Sequence, residues 1–168
     1  MLRELHAELG IPEDYGRDRA KPVYQEAAEL VEGGPNLVGR IQRQTPATAQ
    51  AWAAMQAAGA EDGVTLLIVS GFRSVDYQAR LIRKKINAGQ SVSEILSVNA
   101  APGHSEHHTG RAVDIASPGS RPLTEEFEDS DAFRWLQANA STYGFSMSYP
   151  RENPAGFVYE PWHWARNA

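Results

Sequence analysis

The sequence predicts a single-domain α+β fold with a mainly antiparallel central sheet and flanking helices. Helix signals come early in the chain, short runs typical of strands cluster late, and links of hairpin length separate the later strands. A length of 168 residues with 42% hydrophobic residues suits one core rather than two. We expect residues 1–60 to form an N-terminal arm and a helix, and residues 64–166 to form the main core.

The N-terminal arm is polar and mixed, and Gly33-Gly34-Pro35-Asn36 is typical of a turn. Thr45 and Pro46 then match the N-cap and the first position of a helix. This helix should continue through the alanine-rich run to Ala58 and end at Gly59.

The apolar, β-branched run over residues 64–69 predicts a buried strand. A helix capped by Ser74 should follow, with apolar residues at helical spacing: Val75, Ala79, Ile82 and Ile86. Ser91 and Glu94 match a capping box, which predicts a short helix near residues 92–97.

The second half of the chain alternates between strand and helix patterns. Residues 112–116 form an apolar run that predicts a strand, and residues 131–140 should be helical. Apolar residues alternate with serines over 145–149, which indicates a half-exposed strand. Residues 157–160 predict a last strand before Pro161.

Composition excludes several classes of protein. The absence of cysteine excludes disulfide scaffolds, zinc fingers and cysteine nucleophiles, so any metal site must use histidine and carboxylate ligands. A formal charge of −5 argues against nucleic acid as a partner. No stretch approaches the roughly 20 apolar residues of a membrane span, so none is expected.

Histidines are concentrated in two short segments. His104, His107 and His108 lie in one glycine-flanked loop, and His163 lies near the C-terminus. The loop leads into the predicted strand that carries Asp114 between two apolar neighbours. Because an unpaired buried carboxylate is costly, Asp114 needs a partner, and a divalent cation would provide one.

Two imidazoles and one carboxylate, from His107, Asp114 and His163, suit a tetrahedral zinc ion with one position open for water. Glu160 would then remain as the general base for the proton of that water. Arg73, at the end of a predicted strand, could bind a terminal carboxylate or stabilise a developing oxyanion. The sequence leaves both roles of Arg73 open.

Four ordered segments carry a family resemblance. Residues 105–114 fit the pattern S-x-H-x-x-G-x-A-x-D, and residues 160–163 fit E-x-x-H. With the turn at 70–74 and the tail at 160–164, they resemble the zinc-dependent D-alanyl-D-alanine carboxypeptidases of the VanY type. The resemblance implies a LAS/hedgehog-like metallopeptidase fold and the following roles: zinc ligands His107, Asp114 and His163, general base Glu160, and substrate-binding or transition-state group Arg73.

The resemblance further implies removal of the C-terminal D-alanine from peptidoglycan stem peptides or their precursors. An L,D-carboxypeptidase, a D,D-dipeptidase or a stem-peptide endopeptidase with the same metal site stays open, as does a non-catalytic, zinc-stabilised module that binds cell-wall peptide or a protein. A monomer is expected. The location would be the cell envelope or periplasm if a signal was removed, and the cytoplasm is not excluded, since the chain as given starts without a signal segment.

Four residues are expected to line the substrate site: Arg73, Ser105, His104 and Trp162. Ser105 should also shape the ligand loop through a hydrogen bond. His104 stands where the family often has a residue such as tyrosine or threonine, and His108 stands where glutamine is usual. These differences bear on substrate preference more than on the metal. His108 is expected to be a polar residue of the loop.

Overall fold

A computed structural model describes residues 1–17 and 20–168 and has the predicted α+β architecture. In this described part the α-helices are α1 (Leu2–Glu8), α2 (Pro46–Glu61), α3 (Val75–Asn87), α4 (Val92–Val98) and α5 (Asp131–Asn139). The strands are β1 (Val31–Pro35), β2 (Ile41–Gln44), β3 (Leu67–Ser70), β4 (Ala112–Ala116), β5 (Phe145–Met147) and β6 (His163–Arg166). The first two strands form a separate antiparallel hairpin, and the other four form the central sheet.

The central sheet places key residues in neighbouring positions. Its strand order is β3-β4-β6-β5, and all neighbours are antiparallel. Asp114 on β4 lies opposite Ser70 on β3 and opposite His163 on β6. Opposed residues of antiparallel strands have Cβ atoms about 4.5–5.5 Å apart. The pairing of β4 with β6 therefore joins two residues that are distant in sequence.

The larger apolar core packs α2 and α5 against one face of the central sheet. Trp52 of α2, Leu136 of α5, and Val113 and Ile115 of β4 are buried in it. Side chains alternate between the two faces of a strand, so Asp114 points to the opposite face. The candidate site therefore lies on the sheet face away from this core.

A second, smaller core joins the N-terminal segment to α3 and α4. It consists of Leu9, Ile11, Ala79, Ile82, Ile95 and Ala101. Beyond it the chain runs along the histidine loop, where Tyr24 N donates to the Gly103 carbonyl and Ala27 N donates to the His108 carbonyl. The N-terminal segment is thus packed directly against the loop that carries the candidate ligands.

Side-chain caps confirm the predicted starts of three helices. Thr45 caps α2, with Pro46 at its first position. Ser74 caps α3, and the reciprocal bonds between Ser91 and Glu94 form the capping box of α4. These signals are local, so sequence alone was sufficient to place them.

The end of α2 differs from the prediction. The helix continues through Gly59 to Glu61, and Gly63, with φ +73°, follows in the left-handed conformation. Gly59 is a packing residue instead, because a Cβ there would lie 3.1 Å from the Val64 carbonyl oxygen. The next strand accordingly begins at Leu67 rather than at Val64.

The predicted turn at residues 33–36 is shifted along the chain. Gly33, Gly34 and Pro35 belong to β1, and the turn follows at residues 36–39. The Asn36 side chain accepts hydrogen bonds from the backbone N–H groups of Val38 and Arg40. Asparagine can bond its own turn in this way, and this signal outweighed the glycine pair.

The prediction of a strand over residues 157–160 is wrong, since the last strand is β6. The backbone bonds of this stretch go to two different segments: Val158 N donates to the Ser97 carbonyl, and Glu160 N donates to the Tyr149 carbonyl. Val158 is 42% exposed. Its apolar pattern serves the wall of a cleft rather than a sheet.

The links in the central sheet are also longer than predicted. Residues 71–111 separate β3 from β4, and residues 148–162 separate β5 from β6. Hairpins therefore do not join these neighbours, and the long links instead carry the histidine turn and the cleft wall. Strand β5 ends at Met147, two residues earlier than predicted.

Candidate functional site

Three predicted metal ligands meet on the face of the central sheet that is turned away from the larger core. One ligand atom each from His107, Asp114 and His163 lies within 4.8 Å of the other two. His107 Nε2 lies 3.2 Å from Asp114 Oδ2, and His163 Nδ1 lies 3.1 Å from Asp114 Oδ1. All three side chains are buried. The structure thus brings together the residues that the sequence analysis grouped.

His107 is presented by a single 3-10 turn over Glu106–Thr109. Its Nδ1 lies 2.7 Å from the Gly71 carbonyl oxygen, which can only accept, so Nδ1 carries the ring proton. Burial and the charge of Arg73 lower the pKa of His107 to about 4, so the ring is neutral at pH 7. The Nε2 lone pair therefore faces Asp114.

The unprotonated His107 nitrogen faces a carboxylate, and a metal ion between the two would give both a partner. His107 Nε2 is buried and has no hydrogen-bond partner among the described residues. Burial opposes ionisation of Asp114, but the hydrogen bond and the charge of the protonated His163 ring hold its pKa well below the ordinary value, so it faces Nε2 as a carboxylate. Two imidazole nitrogens and one carboxylate oxygen are a ligand set of catalytic zinc, which keeps one position open. The three residues fit such an ion.

His163 is held between two carboxylates. Its Nδ1 faces Asp114, and its Nε2 lies 2.7 Å from Glu106 Oε2. Burial opposes the charged ring, but the hydrogen bonds with Asp114 and Glu106 raise the pKa of His163 to about 10. Ser148 donates to the same Glu106 oxygen at 2.6 Å. With Nε2 occupied, Nδ1 is the nitrogen available to a metal.

Glu106 is a residue of the site that was not predicted from the sequence. The residue stands at an unspecified position of the S-x-H pattern, and no local signal links it to His163, 57 residues away. Its position beside the predicted ligand His107 suggests at most that it could hydrogen-bond to one of the histidine ligands, without indicating which one. The contact itself depends on the pairing of β4 with β6.

Glu160 lies beside the three ligands. Its Oε2 is 3.7 Å from His163 Nδ1. Burial raises the pKa of Glu160 to about 7. A carboxylate that titrates near neutrality can both accept and return a proton, which is the property required of a general base.

Arg73 faces the ligands from the segment between β3 and α3. Its Nη2 lies 3.9 Å from Asp114 Oδ2, and its Nε is buried without a hydrogen-bond partner among the described residues. The backbone is fixed by the histidine turn: Arg73 N donates to the His107 carbonyl, and His108 Nδ1 donates to the Arg73 carbonyl at 2.6 Å. The guanidinium is therefore held in place with donors still available.

His108, predicted to be a polar residue of the loop, lies buried in the ligand turn beside His107. It is fully buried, and its Nε2 accepts a hydrogen bond from Gly103 N at 3.0 Å while Nδ1 donates to Arg73. Both ring nitrogens are thus engaged within the protein. His108 ties the ligand turn to the segment that carries Arg73.

Three adjoining cavities surround the candidate ligands. A small one of about 30 Å³ is lined by His107, His163 and Glu160. One of about 420 Å³ shares Arg73 and Glu160 with it, and another of about 280 Å³ shares Glu106 and Tyr149 with it. They form a trough with the candidate metal centre in the middle. A depression of about 600 Å³, beside the residues before β3 and after β4, contains none of the predicted site residues.

The other predicted contact residues each line one part of this trough. Ser105 lines the small cavity, and Trp162 lines the cavity of about 420 Å³. His104 lines the cavity of about 280 Å³, but it is mostly buried, and its Nδ1 lies 2.9 Å and 3.1 Å from the carbonyl oxygens of Lys21 and Pro22. This contact holds the N-terminal segment in place. That Ser105, Trp162 and His104 contact a substrate stays a prediction.

The trough also contains residues that the sequence analysis did not single out. Gln78 and Tyr149 line the small cavity, and Lys85 lines the cavity of about 420 Å³. The Tyr149 ring lies 4.8 Å from the His163 ring. Helical periodicity could have placed Gln78 and Lys85 on α3, but not the direction in which α3 packs.

Several known proteins are similar to this chain. The family model described as VanY, D-alanyl-D-alanine carboxypeptidase, matches residues 42–166. A D-alanyl-D-alanine carboxypeptidase of Enterococcus faecium is 33% identical over 139 residues, which cover 80% of this chain and 41% of the relative. The chain spans about two fifths of the length of the first three curated relatives that it matches.

Two solved structures are similar to this chain. The LD-carboxypeptidase LdcB, whose structure is described for its recognition of peptidoglycan, has a TM-score of 0.75 at 32% identity. The match covers 86% of this chain and 71% of LdcB. The D,D-pentapeptidase VanY from a VanB-type vancomycin-resistance cassette, a mutant in complex with Zn(II), has a TM-score of 0.64 at 26% identity. That match covers 84% of this chain and 80% of the other.

Proposed function

Because the chain belongs to the VanY family of D-alanyl-D-alanine carboxypeptidases, we propose that it is a zinc metallopeptidase that removes the C-terminal D-alanine from peptidoglycan stem peptides. The observation that carries this proposal is the convergence of His107, Asp114 and His163 with Glu160 beside them. The family resemblance predicted from the motifs is confirmed by the match over residues 42–166.

The zinc ion would be held by His107 Nε2, His163 Nδ1 and the Asp114 carboxylate. The His107 nitrogen is free of hydrogen bonds among the described residues, and the other two groups face it. A bound zinc ion supplies Lewis-acid polarisation of the scissile carbonyl and activation of water. The VanY structure with Zn(II) supports this choice of metal.

Glu160 would move the proton. Its carboxylate takes a proton from the attacking water and passes it to the leaving amine as the peptide bond breaks. Burial raises its pKa to about 7, which favours both halves of this transfer at neutral pH. The carboxylate lies beside His163 Nδ1, the nitrogen assigned to the metal.

Arg73 would offset the negative charge that develops on the scissile carbonyl oxygen. Its Nη2 lies on the Asp114 side of the site, and its Nε has no competing partner among the described residues. Fixed donors of this kind stabilise a developing oxyanion without reorganisation. Ser105, His104 and Trp162 would contact the peptide along the trough.

An L,D-carboxypeptidase that acts on tetrapeptide stems is the second candidate function. The likeness to LdcB, with a TM-score of 0.75, favours it. The metal chemistry is the same for both, because only the residues on either side of the scissile bond differ. A dipeptidase or an endopeptidase would use the same metal site, and product analysis distinguishes them from the two carboxypeptidases.

None of the described residues belongs to a helix that could cross a membrane. We place the reaction in the cell envelope, where peptidoglycan stem peptides are found, and we propose that the protein acts as a monomer. Size-exclusion chromatography with light scattering tests the second statement. Fractionation of the native host tests the first.

The deciding experiment combines metal analysis with product analysis. Purified protein should contain about one zinc per chain. Incubation with synthetic pentapeptide and tetrapeptide stems, followed by mass spectrometry, should show loss of one terminal D-alanine from one of them. A protein that binds zinc but leaves every stem peptide intact would support the binding module instead, and loss of a dipeptide would indicate a dipeptidase.

A further inference from the structure

One basic side chain of α3 is turned into the trough. Lys85 lies in the last turn of α3 and lines the cavity of about 420 Å³ with Arg73 and Glu160. Its neighbour Lys84 is exposed, as expected for a lysine that interacts with the end of a helix in solvent. The two lysines therefore differ in environment although they are adjacent in sequence.

Lys85 is held in position, and the described residues provide no counter-ion for it. Its Nζ donates a hydrogen bond to Asn99 Oδ1, which fixes the ammonium at the cavity wall. Asp114, Glu125 and Glu160 line the same cavity, but no carboxylate of the described residues forms an ion pair with Lys85. An ammonium has three donors, so donors remain for a ligand.

The environment of Lys85 disfavours an unpaired charge. Partial burial and the positive charge of Arg73 lower the pKa of Lys85. Two cations on one side of a cavity attract an anionic group, and binding of an anion would relieve their mutual repulsion. The cavity is therefore suited to a negatively charged part of a ligand.

Arg73 and Lys85 differ in how close they lie to the candidate ligands. Arg73 reaches Asp114 and lines both the small and the larger cavity. Of these two cavities, Lys85 lines the larger one and not the small one, and it lies there beside Val98 and Leu123. The arginine is thus placed for the scissile carbonyl and the lysine for a group farther along the peptide.

We propose that Lys85 determines specificity by binding a carboxylate of the peptide substrate in the cavity that it shares with Arg73. This inference rests on the proposed peptidase function. It separates two roles for a basic group: Arg73 serves the carbonyl oxygen, and Lys85 serves the carboxylate. A salt bridge between an ammonium and a carboxylate in a partly buried cavity is stronger than one in open solvent.

A stem peptide offers two sources of that carboxylate. One is the α-carboxylate of the leaving D-alanine. The other is a side-chain carboxylate on a residue before the scissile bond, as in stems that carry diaminopimelate rather than lysine. The chemistry of recognition is the same for both, so the experiment has one arm for each source.

The test measures kinetics of the zinc-loaded enzyme and of the Lys85→Met variant. The first arm compares a peptide that ends in a free carboxylate with its C-terminal amide, and the second compares a diaminopimelate stem with a lysine stem. In one arm, Lys85→Met should raise KM roughly 10- to 100-fold for the peptide that carries the carboxylate in question. The KM for the matched peptide that lacks this carboxylate should stay unchanged. The value of kcat should change little, since Lys85 is proposed to contact neither the scissile carbonyl nor the attacking water.

Matched variants separate recognition from structure. Lys84→Met removes the same charge from the adjacent exposed position and should leave both arms unchanged. Lys85→Arg should keep most of the discrimination. If Lys85→Met raises KM equally for the peptides with and without the carboxylate in both arms, or raises KM for none of them, Lys85 is not a carboxylate receptor and the inference is overturned.

A binding measurement keeps this result independent of the proposed function. The same peptides are titrated calorimetrically into zinc-loaded Glu160→Gln protein, with and without Lys85→Met. If the wild-type enzyme cleaves no peptide, the proposed function fails, yet the ratio of dissociation constants still decides the role of Lys85. Equal ratios with and without Lys85 would reject it.

Discussion

At the scale of single residues, the site is a group of buried charges that depend on one another. Asp114 and Glu106 bind opposite nitrogens of the His163 ring, and His107 points an unprotonated nitrogen at Asp114. Removing one member leaves a buried charge or dipole without its partner, which costs more than the contact itself contributes. The residues of the site should therefore respond strongly to conservative substitutions.

Glu160→Gln should lower kcat by a factor of at least about 100, because general base catalysis contributes on the order of 10²–10⁴-fold. The amide cannot accept the proton, although it keeps the shape of the side chain. Zinc content should stay near that of the wild type, since Glu160 is not among the three ligands. Stem-peptide kinetics and metal analysis on the same preparation check both halves, and unchanged kcat would exclude Glu160 as the base.

Glu106→Gln should weaken zinc binding about 10- to 100-fold, as is typical when the partner of a histidine ligand is changed. The substitution removes the negative charge next to His163 Nε2, so the ring becomes less basic and binds the metal more weakly. Competition with a chelator of known affinity measures the effect. Glu29→Gln, the same change at an exposed position, is the control. Equal affinities for all three proteins would contradict the assigned contact.

Zinc affinity should rise with pH. The pKa of His163 is raised to about 10, so the metal-free ring holds a proton throughout the neutral range. Zinc must displace this proton, and affinity should increase about tenfold per pH unit between about pH 7.5 and 9. His107, with a pKa lowered to about 4, contributes nothing in this range. Calorimetry in buffers of different ionisation enthalpy should detect release of one proton, and release of none would contradict the assignment.

At the scale of elements, the single turn that carries His107 depends on one glycine. Gly110 ends the turn with φ +67°, in the left-handed region. A Cβ at this position would lie 3.0 Å from Leu30 Cδ2 and 3.1 Å from Thr45 Cγ2. The turn is therefore packed against the N-terminal segment and the start of α2, and its backbone cannot shift freely.

Gly110→Ala should reduce stability and zinc affinity together. The left-handed conformation costs alanine about 1–2 kcal/mol, and the crowding should add roughly 1–3 kcal/mol. Gly119→Ala is the matched control, because Gly119 has φ +84° but no atom within 4 Å of a Cβ. Denaturant unfolding and zinc titration of both variants measure the difference. Equal effects would show that backbone strain alone matters and that the packing of the turn does not.

At the scale of the whole molecule, the candidate metal centre joins parts of the chain that fold from distant positions. Strand β4 supplies Asp114, β6 supplies His163, and the turn between α4 and β4 supplies His107. The N-terminal segment covers this turn through its contacts with His104 and His108. A metal bound here would link three segments of one fold.

Removal of zinc should therefore lower the melting temperature. A ligand at about 100 times its dissociation constant stabilises the folded state by about 2.7 kcal/mol, which corresponds to roughly 5–10 °C for a domain of this size. Differential scanning calorimetry before and after chelation checks this, and added zinc should restore the original value. A melting temperature that does not respond to chelation or to zinc would argue against the site.

The residues that sequence could identify are those with local signals. Thr45, Ser74 and Ser91 cap helices through contacts within one turn, so their roles follow from neighbours three positions away. The strand over Ala112–Ala116 was predicted with the same bounds, because an apolar run, here interrupted by Asp114, needs a core on at least one side. The prediction failed at residues 157–160, where a similar run lines a cleft.

The sequence by itself determined which side chains could form a site. Its two short motifs contained the ligand types of zinc and a spare carboxylate, and the turn at residues 70–74 contained an arginine. The absence of cysteine left few alternatives. Only the tertiary structure decided how these groups face one another. The pairing of β4 with β6, the contact of Glu106 with His163 and the turning of Lys85 into the trough all join or orient residues through long-range packing. Strand register and helix orientation are set by burial of the whole apolar surface, which no local pattern contains.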